Sequence, residues 1–169
     1  AETSPGTIGF VEGLYGGVAT DEPRAALVGR DVPAAGGDAA DAATAMYFTL
    51  AVTLPSHASL GGGGVCAVID PEREEVRMLD FVARAPDPST ERGDRPSAVP
   101  GAVRGMFALH GRYGRLPWGQ LIVPAERLAR FGTRVSRALG NELRSVEGAL
   151  IADPAFRQVF GDPQTRRLV

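Results

Sequence analysis

The chain of 169 residues contains no lysine, and it has one cysteine and two histidines. Without a lysine it cannot build the nucleotide-binding loop in which a lysine reaches the phosphates of the ligand. The lone Cys66 excludes an internal disulfide and a cysteine-based zinc site. His57 and His110 lie far apart in the sequence and do not have the spacing of metal ligands. We therefore expect neither a metal site nor a cofactor.

The charge balance argues against two classes of partner. All 18 basic residues are arginines, and the formal net charge at pH 7 is −2, unlike the basic surface of a nucleic-acid-binding protein. Glutamates at 126, 142 and 147 interrupt the run of arginines at 127, 130, 134, 137 and 144, which indicates a solvated helix face. The longest stretch with few charges, residues 39–52, is too short to span a bilayer. We expect no nucleic-acid partner and no membrane partner.

Four consecutive glycines, Gly61 to Gly64, are the most unusual feature of the chain. Glycine is costly in a regular helix or strand, so such a run predicts a backbone that another group approaches closely. A phosphate-binding loop would need a strand before the glycines and a helix after them. Here a predicted helix precedes the run and the apolar segment 65–70 follows it, so the order excludes nucleotide binding at this position.

Proline, glycine and capping residues divide the chain into helices and one hairpin. Asp21 and Pro23 predict the start of a first helix, and Pro33 predicts its end. Asp38 predicts the N-cap of a second, alanine-rich helix. Gly114 predicts a left-handed C-cap at the end of a third. The predicted helices cover residues 22–32, 38–52, 101–114, 136–150 and 154–160. Between Pro117 and Gly132 we predict short helices that break at Pro124. The predicted strands cover residues 65–70 and 76–82. The length suffices for one core and is short for two, so we expect no second domain in residues 1–169.

Six short motifs occur in a fixed order along the chain. They are residues 36–43 (Gly-Gly-Asp-Ala-Ala-Asp-Ala-Ala), 51–55 (Ala-Val-Thr-Leu-Pro), 60–64 (Leu-Gly-Gly-Gly-Gly), 79–81 with 84–86 (Leu-Asp-Phe and Arg-Ala-Pro), 99–105 (Val-Pro-Gly-Ala-Val-Arg-Gly), and 113–114 with 128–130 (Tyr-Gly and Leu-Ala-Arg). In this order they resemble the N-terminal part of the large subunit of the γ-glutamyltranspeptidases. The resemblance runs from about residue 17 to residue 160, and it implies that residues 1–169 are one partial domain.

The resemblance implies a fold and an activity. The fold is the N-terminal portion of a four-layer αββα N-terminal-nucleophile hydrolase, an α/β (α+β) architecture. The activity is transfer or hydrolysis of the γ-glutamyl groups of glutathione-like amides, in the periplasm or outside the cell, by this chain together with the remaining large-subunit and small-subunit segments. The nucleophile of the family is a threonine freed by self-cleavage, whose own α-amine acts as the base. Ala1 has no hydroxyl, so we expect no catalytic residue in this chain and no turnover by the chain alone.

The resemblance also assigns one substrate contact to this part of the enzyme. In the family, an arginine that follows Asp-Phe binds the α-carboxylate of the γ-glutamyl group, and a guanidinium suits that role because it pairs with a carboxylate through two hydrogen bonds. Val82 stands at that position here, and Arg84 lies two residues further on. This spacing points both side chains to the same face of a strand. We predict Arg84 as the substrate-binding residue; the alternative is an arginine in a surface ion pair.

The remaining candidates have structural interpretations. Cys66 at the start of an apolar strand is typical of a small buried hydrophobic residue. His110 lies at an apolar position of a predicted helix, so we predict that it is a core histidine with a hydrogen-bond partner. Ser56, His57 and Ser59 are close in sequence, but we expect no acid to orient the imidazole and therefore no hydrolytic dyad.

Two classes of function stay open. The first is the enzyme described above, or a related amide-cleaving acylase, since Val82 departs from the family pattern. The second is a non-catalytic remnant or a module that binds a partner chain. The helix at 38–53 and both predicted strands are apolar on both sides, so we expect this chain to expose apolar surface for the missing segments or a partner to cover.

Overall fold

Helices pack on one face of a β-hairpin in this protein. The computed structural model describes residues 16–71, 73–85, 97–165 and 167–168. In these residues the elements are, in chain order, α1 (Pro23–Ala34), α2 (Ala39–Thr53), β1 (Val65–Asp70), β2 (Glu75–Asp80), α3 (Ala102–Tyr113), α4 (Trp118–Phe131), α5 (Arg137–Ala152) and α6 (Pro154–Phe160). The predicted succession of two helices, a hairpin and further helices is confirmed, but β2 ends at Asp80 and not at residue 82 as predicted, so Val82 lies beyond the strand.

Helix α2 is the centre of the core and packs against α1, α3 and α4. Its first turn is fixed by a reciprocal capping arrangement, as Asp38 predicted: Asp38 Oδ1 accepts hydrogen bonds from the backbone N–H groups of Ala40 and Asp41, at 2.9 and 3.1 Å. Small residues bring the helices close together. A Cβ on Gly29 of α1, for example, would lie 2.5 Å from the Sδ of Met46. The lack of a side chain at Gly29 therefore allows α1 to approach α2 closely at Met46.

The buried carboxylate of Asp41 connects the start of α2 to the turn between α3 and α4. The residue is fully buried, and its Oδ2 accepts hydrogen bonds from the backbone N–H groups of Arg115 and Leu116, at 2.9 and 3.1 Å. Its Oδ1 lies 3.6 Å from His110 Nε2, and that nitrogen donates to the carbonyl oxygen of Leu116 at 2.7 Å. The prediction of a hydrogen-bonded core histidine at His110 is confirmed.

The two faces of the β1–β2 hairpin differ in burial. The strands are antiparallel with Val65 opposite Asp80 and Asp70 opposite Glu75. The inner face packs against the helical core through Cys66, Val68 and Leu79. The outer face is apolar and exposed, and its large members are Val65, Ile69, Val76 and Met78. The expected exposed apolar surface is therefore present on the hairpin.

Two prolines predicted to end or break helices lie inside them. Pro33 is the penultimate residue of α1, which continues to Ala34. Pro124 lies in the middle of the continuous helix α4, so the prediction of short helices there was wrong. The buried side chains of Leu121 and Ala125 flank Pro124 and hold both halves of α4 in the core, and this packing outweighs the intrinsic penalty of proline.

Two predicted caps are also corrected. The N-cap of α1 is Glu22, whose Oε2 accepts from Ala25 N at 2.9 Å, rather than Asp21. Glu22 is buried whereas Asp21 is exposed, so the longer carboxylate is the one that faces the helix start. Gly114 follows α3 with φ −75°, outside the left-handed region. A Cβ there would meet Asp41 Oδ1 and His110 Cδ2, each at 2.5 Å, so close packing is the structural reason for this glycine.

Candidate functional site

The candidate site lies where the chain leaves β2 and where α3 begins. Phe81 pairs with Gly64 through two backbone hydrogen bonds, Phe81 N to Gly64 O at 2.9 Å and Gly64 N to Phe81 O at 3.3 Å. The backbone N–H groups of Gly101 and Ala102 both donate to the carbonyl oxygen of Gly62 at 3.0 Å. The glycine run thus connects the end of β2 to the start of α3 by backbone hydrogen bonds alone.

The group that approaches the glycines is the chain itself. A Cβ on Gly63 would lie 2.2 Å from Ala83 N and 2.6 Å from Phe81 O. A Cβ on Gly105 of α3 would lie 2.1 Å from the Phe81 ring. These distances leave no room for any side chain larger than hydrogen, so the predicted close approach at the run is confirmed. It fixes the position of the backbone at residues 81–83.

Arg84 is held in a local ion pair at this position. Its Nη2 donates to Asp80 Oδ2 at 2.8 Å, and both side chains are exposed. Asp80 Oδ1 accepts from the backbone N–H of Val82 at 3.0 Å, and the backbone of Arg84 bridges to Val99. Asp80 therefore orients both the side chain of Arg84, the predicted substrate-binding residue, and the backbone of Val82.

An open groove of about 510 Å³ runs past these residues between the end of β2 and α3. Val82 and Arg84 both line it, as does Arg104 of α3. The structure thus brings the two residues singled out in the sequence to one groove and adds a second guanidinium. Arg104 was missed because it lies within the 99–105 motif, which served only to identify the resemblance.

The serine and histidine cluster is arranged differently from the expectation. An acid does contact the imidazole: His57 Nε2 lies 2.6 Å from Glu142 Oε1 of α5, and His57 Nδ1 lies 3.9 Å from Asp21 Oδ2. A hydrogen bond from Ser56 is the main cause that lowers the pKa of Glu142, and His57 lowers it further. The contact between His57 and Glu142 attaches α5 to the loop at 54–59.

The other reactive groups have structural surroundings. Cys66 is half-buried on the inner face of the hairpin among core residues, as predicted. Within the part of the chain that the structure describes, no group of three or more His, Cys, Asp or Glu side chains could hold a metal ion. Among the same residues, no helix combines the length and the apolar character needed to cross a membrane.

Comparison with known proteins identifies the family. The model of the gamma-glutamyltranspeptidase family matches residues 25–169. Glutathione hydrolase 2 of Arabidopsis thaliana is 33% identical over 157 residues, which are 86% of this chain and 27% of that relative. The chain therefore spans little more than a quarter of that relative.

Solved structures give the same result for the fold. The gamma-glutamyltranspeptidase of Helicobacter pylori superposes with a TM-score of 0.78 at 30% identity, covering 88% of this chain and 47% of that one. A cephalosporin acylase from Bacillus halodurans superposes with a TM-score of 0.70 at 27% identity, over 82% of this chain and 29% of that one. The predicted fold class, an α/β (α+β) portion of an N-terminal-nucleophile hydrolase, is confirmed. The chain belongs to the gamma-glutamyltranspeptidase family.

Proposed function

We propose that this chain is the N-terminal part of an enzyme that transfers or hydrolyses γ-glutamyl groups of glutathione-like amides, and that it supplies one wall of the γ-glutamyl site. The observation that carries the proposal is the groove at the end of β2. Val82, at the family's carboxylate position, opens onto the same groove as Arg84 and Arg104. The two guanidinium groups there suit a substrate that carries a carboxylate.

The nucleophile and the other walls of the site belong, in this proposal, to segments outside these 169 residues. The exposed outer face of the hairpin supports this division, because Ile69 is 71% exposed and Val76 is 66% exposed. Apolar side chains at this exposure mark a surface that another layer covers. A second sheet from the rest of the protein would bury it, as the four-layer architecture requires, and we place the complete enzyme in the periplasm or outside the cell.

Arg84 is the residue that we propose to bind the α-carboxylate. The test uses the complete protein and two donors, γ-glutamyl-p-nitroanilide and 4-aminobutyryl-p-nitroanilide, which differ only in the α-carboxylate. Arg84→Ala should raise KM for the γ-glutamyl donor by about tenfold to a few hundredfold, as expected for loss of a charge-assisted hydrogen bond. The KM of the other donor should stay unchanged. Val82→Arg should favour the carboxylate-bearing donor.

Arg130→Ala serves as the control for this test. Arg130 is an exposed arginine in a comparable ion pair, 2.7 Å from Glu126 on α4 and away from the groove. The Arg130→Ala substitution should leave the KM values of both donors unchanged. If Arg84→Ala changes both donors equally, Arg84 has no role in recognising the carboxylate.

A second candidate function is cleavage of an amide whose acyl group has no α-carboxylate. The observation that favours it is Val82, an apolar residue at the position where the family has arginine, together with the similarity to a cephalosporin acylase. In that case the complete protein prefers 4-aminobutyryl-p-nitroanilide or a longer apolar acyl donor. A non-catalytic partner-binding module is the third alternative, and turnover of neither donor by the complete protein would favour it.

A further inference from the structure

We infer that Arg104 is a specificity-determining residue that binds a second carboxylate, located on the leaving-group side of a γ-glutamyl donor. The inference rests on the proposed function. Its consequence is a preference, among γ-glutamyl donors, for those whose leaving group carries a carboxylate, and Arg104 is the residue that sets this preference.

Arg104 lies at the junction of two grooves. The groove of about 510 Å³ beside Val82 and Arg84 has a neighbour of about 780 Å³ that continues along α3 toward Tyr113. Leu79, Arg104 and Ala108 line both. The two grooves thus form one trough between β2 and α3, and a ligand that extends from Arg84 along it reaches Arg104 next.

The small residues of α3 explain why this trough exists. Gly101, Gly105, Ala108 and Gly111 recur at helical spacing along the side of α3 that lines the trough. Gly105 lies directly under the Phe81 ring, whereas a Cβ on Gly111 would meet nothing within 4 Å. The trough is therefore open beyond Gly105, on the side where Arg104 lies.

Among the described residues, Arg104 is the arginine that lines both grooves of the trough. Asp80 is the one acidic residue among the described residues that line it, and Asp80 pairs with Arg84 at 2.8 Å. Arg77 bonds to Glu75 at 2.7 Å, and the guanidinium of Arg112 lies 5.6 Å from the centre of the Tyr113 ring. Arg104 forms no ion pair within the described part of the chain and is exposed to the trough.

A carboxylate is the group that this geometry favours. An unpaired guanidinium offers two parallel N–H donors that match the two oxygens of a carboxylate. The apolar surfaces of Leu79 and Ala108 beside it suit the methylene or peptide portion of an extended ligand. A donor with its α-carboxylate near Arg84 and a second carboxylate beyond the scissile amide satisfies both arginines.

The test compares γ-glutamyl-p-nitroanilide with γ-glutamyl-3-carboxy-4-nitroanilide, which adds one carboxylate to the same leaving group. In the complete protein, Arg104→Ala should lower the ratio of kcat/KM for the carboxylated donor to that for the plain donor by about tenfold, the loss expected for one charge-assisted hydrogen bond. Arg104→Lys should retain part of the ratio. Arg84→Ala should lower kcat/KM for both donors and leave the ratio unchanged, and Arg130→Ala should change neither.

A binding measurement keeps this inference separate from the proposed function. Calorimetric titration of the complete protein with glutathione and with its C-terminal amide should show a preference for the free acid that Arg104→Ala removes. An unchanged donor ratio or an unchanged preference in Arg104→Ala overturns the inference while leaving the proposed function intact. Failure of the unsubstituted protein to turn over either donor overturns the proposed function, and the titration then still decides the role of Arg104.

Discussion

The helical body and the C-terminal helix pair are held in place by different kinds of contact. The body, α1 to α4 with the hairpin, buries apolar side chains such as Phe48, Leu109 and Leu121. Neither α5 nor α6 has a buried residue. The pair is attached through polar groups, His57 to Glu142 at 2.6 Å and Arg24 Nη1 to the carbonyl oxygen of Arg134 at 2.7 Å. Capping and periodicity are enough to form a helix, but burial of apolar surface determines how firmly the helix is attached.

The largest expected difference between the two regions is in the free energy of unfolding that is lost when a carboxylate that accepts backbone hydrogen bonds is removed. Asp41→Ala leaves the backbone N–H groups of Arg115 and Leu116 without an acceptor inside the body, and each buried donor without a partner costs about 1–3 kcal/mol. We expect the free energy of unfolding to fall by about 3–5 kcal/mol in urea denaturation. Asp153→Ala removes the exposed N-cap of α6 and should lower the same quantity by about 1 kcal/mol or less. Equal losses in both variants would show that the two regions do not differ in this way.

A second pair of substitutions sharpens the comparison within α3. Gly105→Ala puts a methyl group 2.1 Å from the Phe81 ring, whereas Gly111→Ala, two turns later in the same helix, meets nothing within 4 Å. Overpacking should cost Gly105→Ala about 1–3 kcal/mol of unfolding free energy. Gly111→Ala should gain about 0.5–1 kcal/mol, because alanine is the better helix former. Thermal denaturation of both variants measures the difference, and a loss of stability in Gly111→Ala would contradict the open space assigned to the trough.

The smallest expected effect is a pH dependence confined to the helix pair. Hydrogen bonds from Ser56 and His57 hold the pKa of Glu142 below its usual range. A carboxyl group with a lowered pKa in the folded state stabilises that state above the unfolded-state pKa, and the contribution disappears as the pH falls through the folded-state value. Acidification from neutral pH to below about 4 should therefore lower the protection of α5 and α6 against amide hydrogen exchange, relative to the intrinsic rate at each pH, more than the protection of α2.

Glu142→Gln is the control for that measurement. It keeps an oxygen acceptor for Ser56 and removes the carboxylate that contacts His57, so the difference in protection between the helix pair and α2 should depend less on pH in this range. If the unsubstituted protein and the variant respond to acid equally, Glu142 does not attach α5 to the loop at 54–59.

Local signals in the sequence predicted the parts of the fold that depend on neighbouring residues. The cap at Asp38, the hairpin and the crowding at Gly63 follow from short-range patterns and were confirmed. Pro124 was interpreted wrongly because the packing of α4 on α2 is decided by residues distant in the sequence. The contact between Asp41 and Arg115 spans 74 residues, and no local pattern indicates it.

In the candidate site, too, some features follow from short-range sequence patterns and others depend on contacts between residues distant in the sequence. The common groove of Val82 and Arg84 follows from the spacing of two residues in an extended segment. The ion pair of Arg84 with Asp80 and the presence of Arg104 in the groove depend on where β2 meets α3. The packing of β2 against α3 is a property of the folded chain, and the sequence pattern alone does not predict it.

The hydrogen bonds that Gly62 accepts from Gly101 and Ala102 involve only main-chain atoms. Side chains at residues 82, 84 and 104 can therefore be exchanged during evolution without altering the backbone path that positions them. This independence offers a reason why a gamma-glutamyltranspeptidase and a cephalosporin acylase both superpose on this chain, with TM-scores of 0.78 and 0.70. If the groove binds substrate as we propose, a new substrate preference needs a few substitutions in the groove and no change in the architecture that surrounds it.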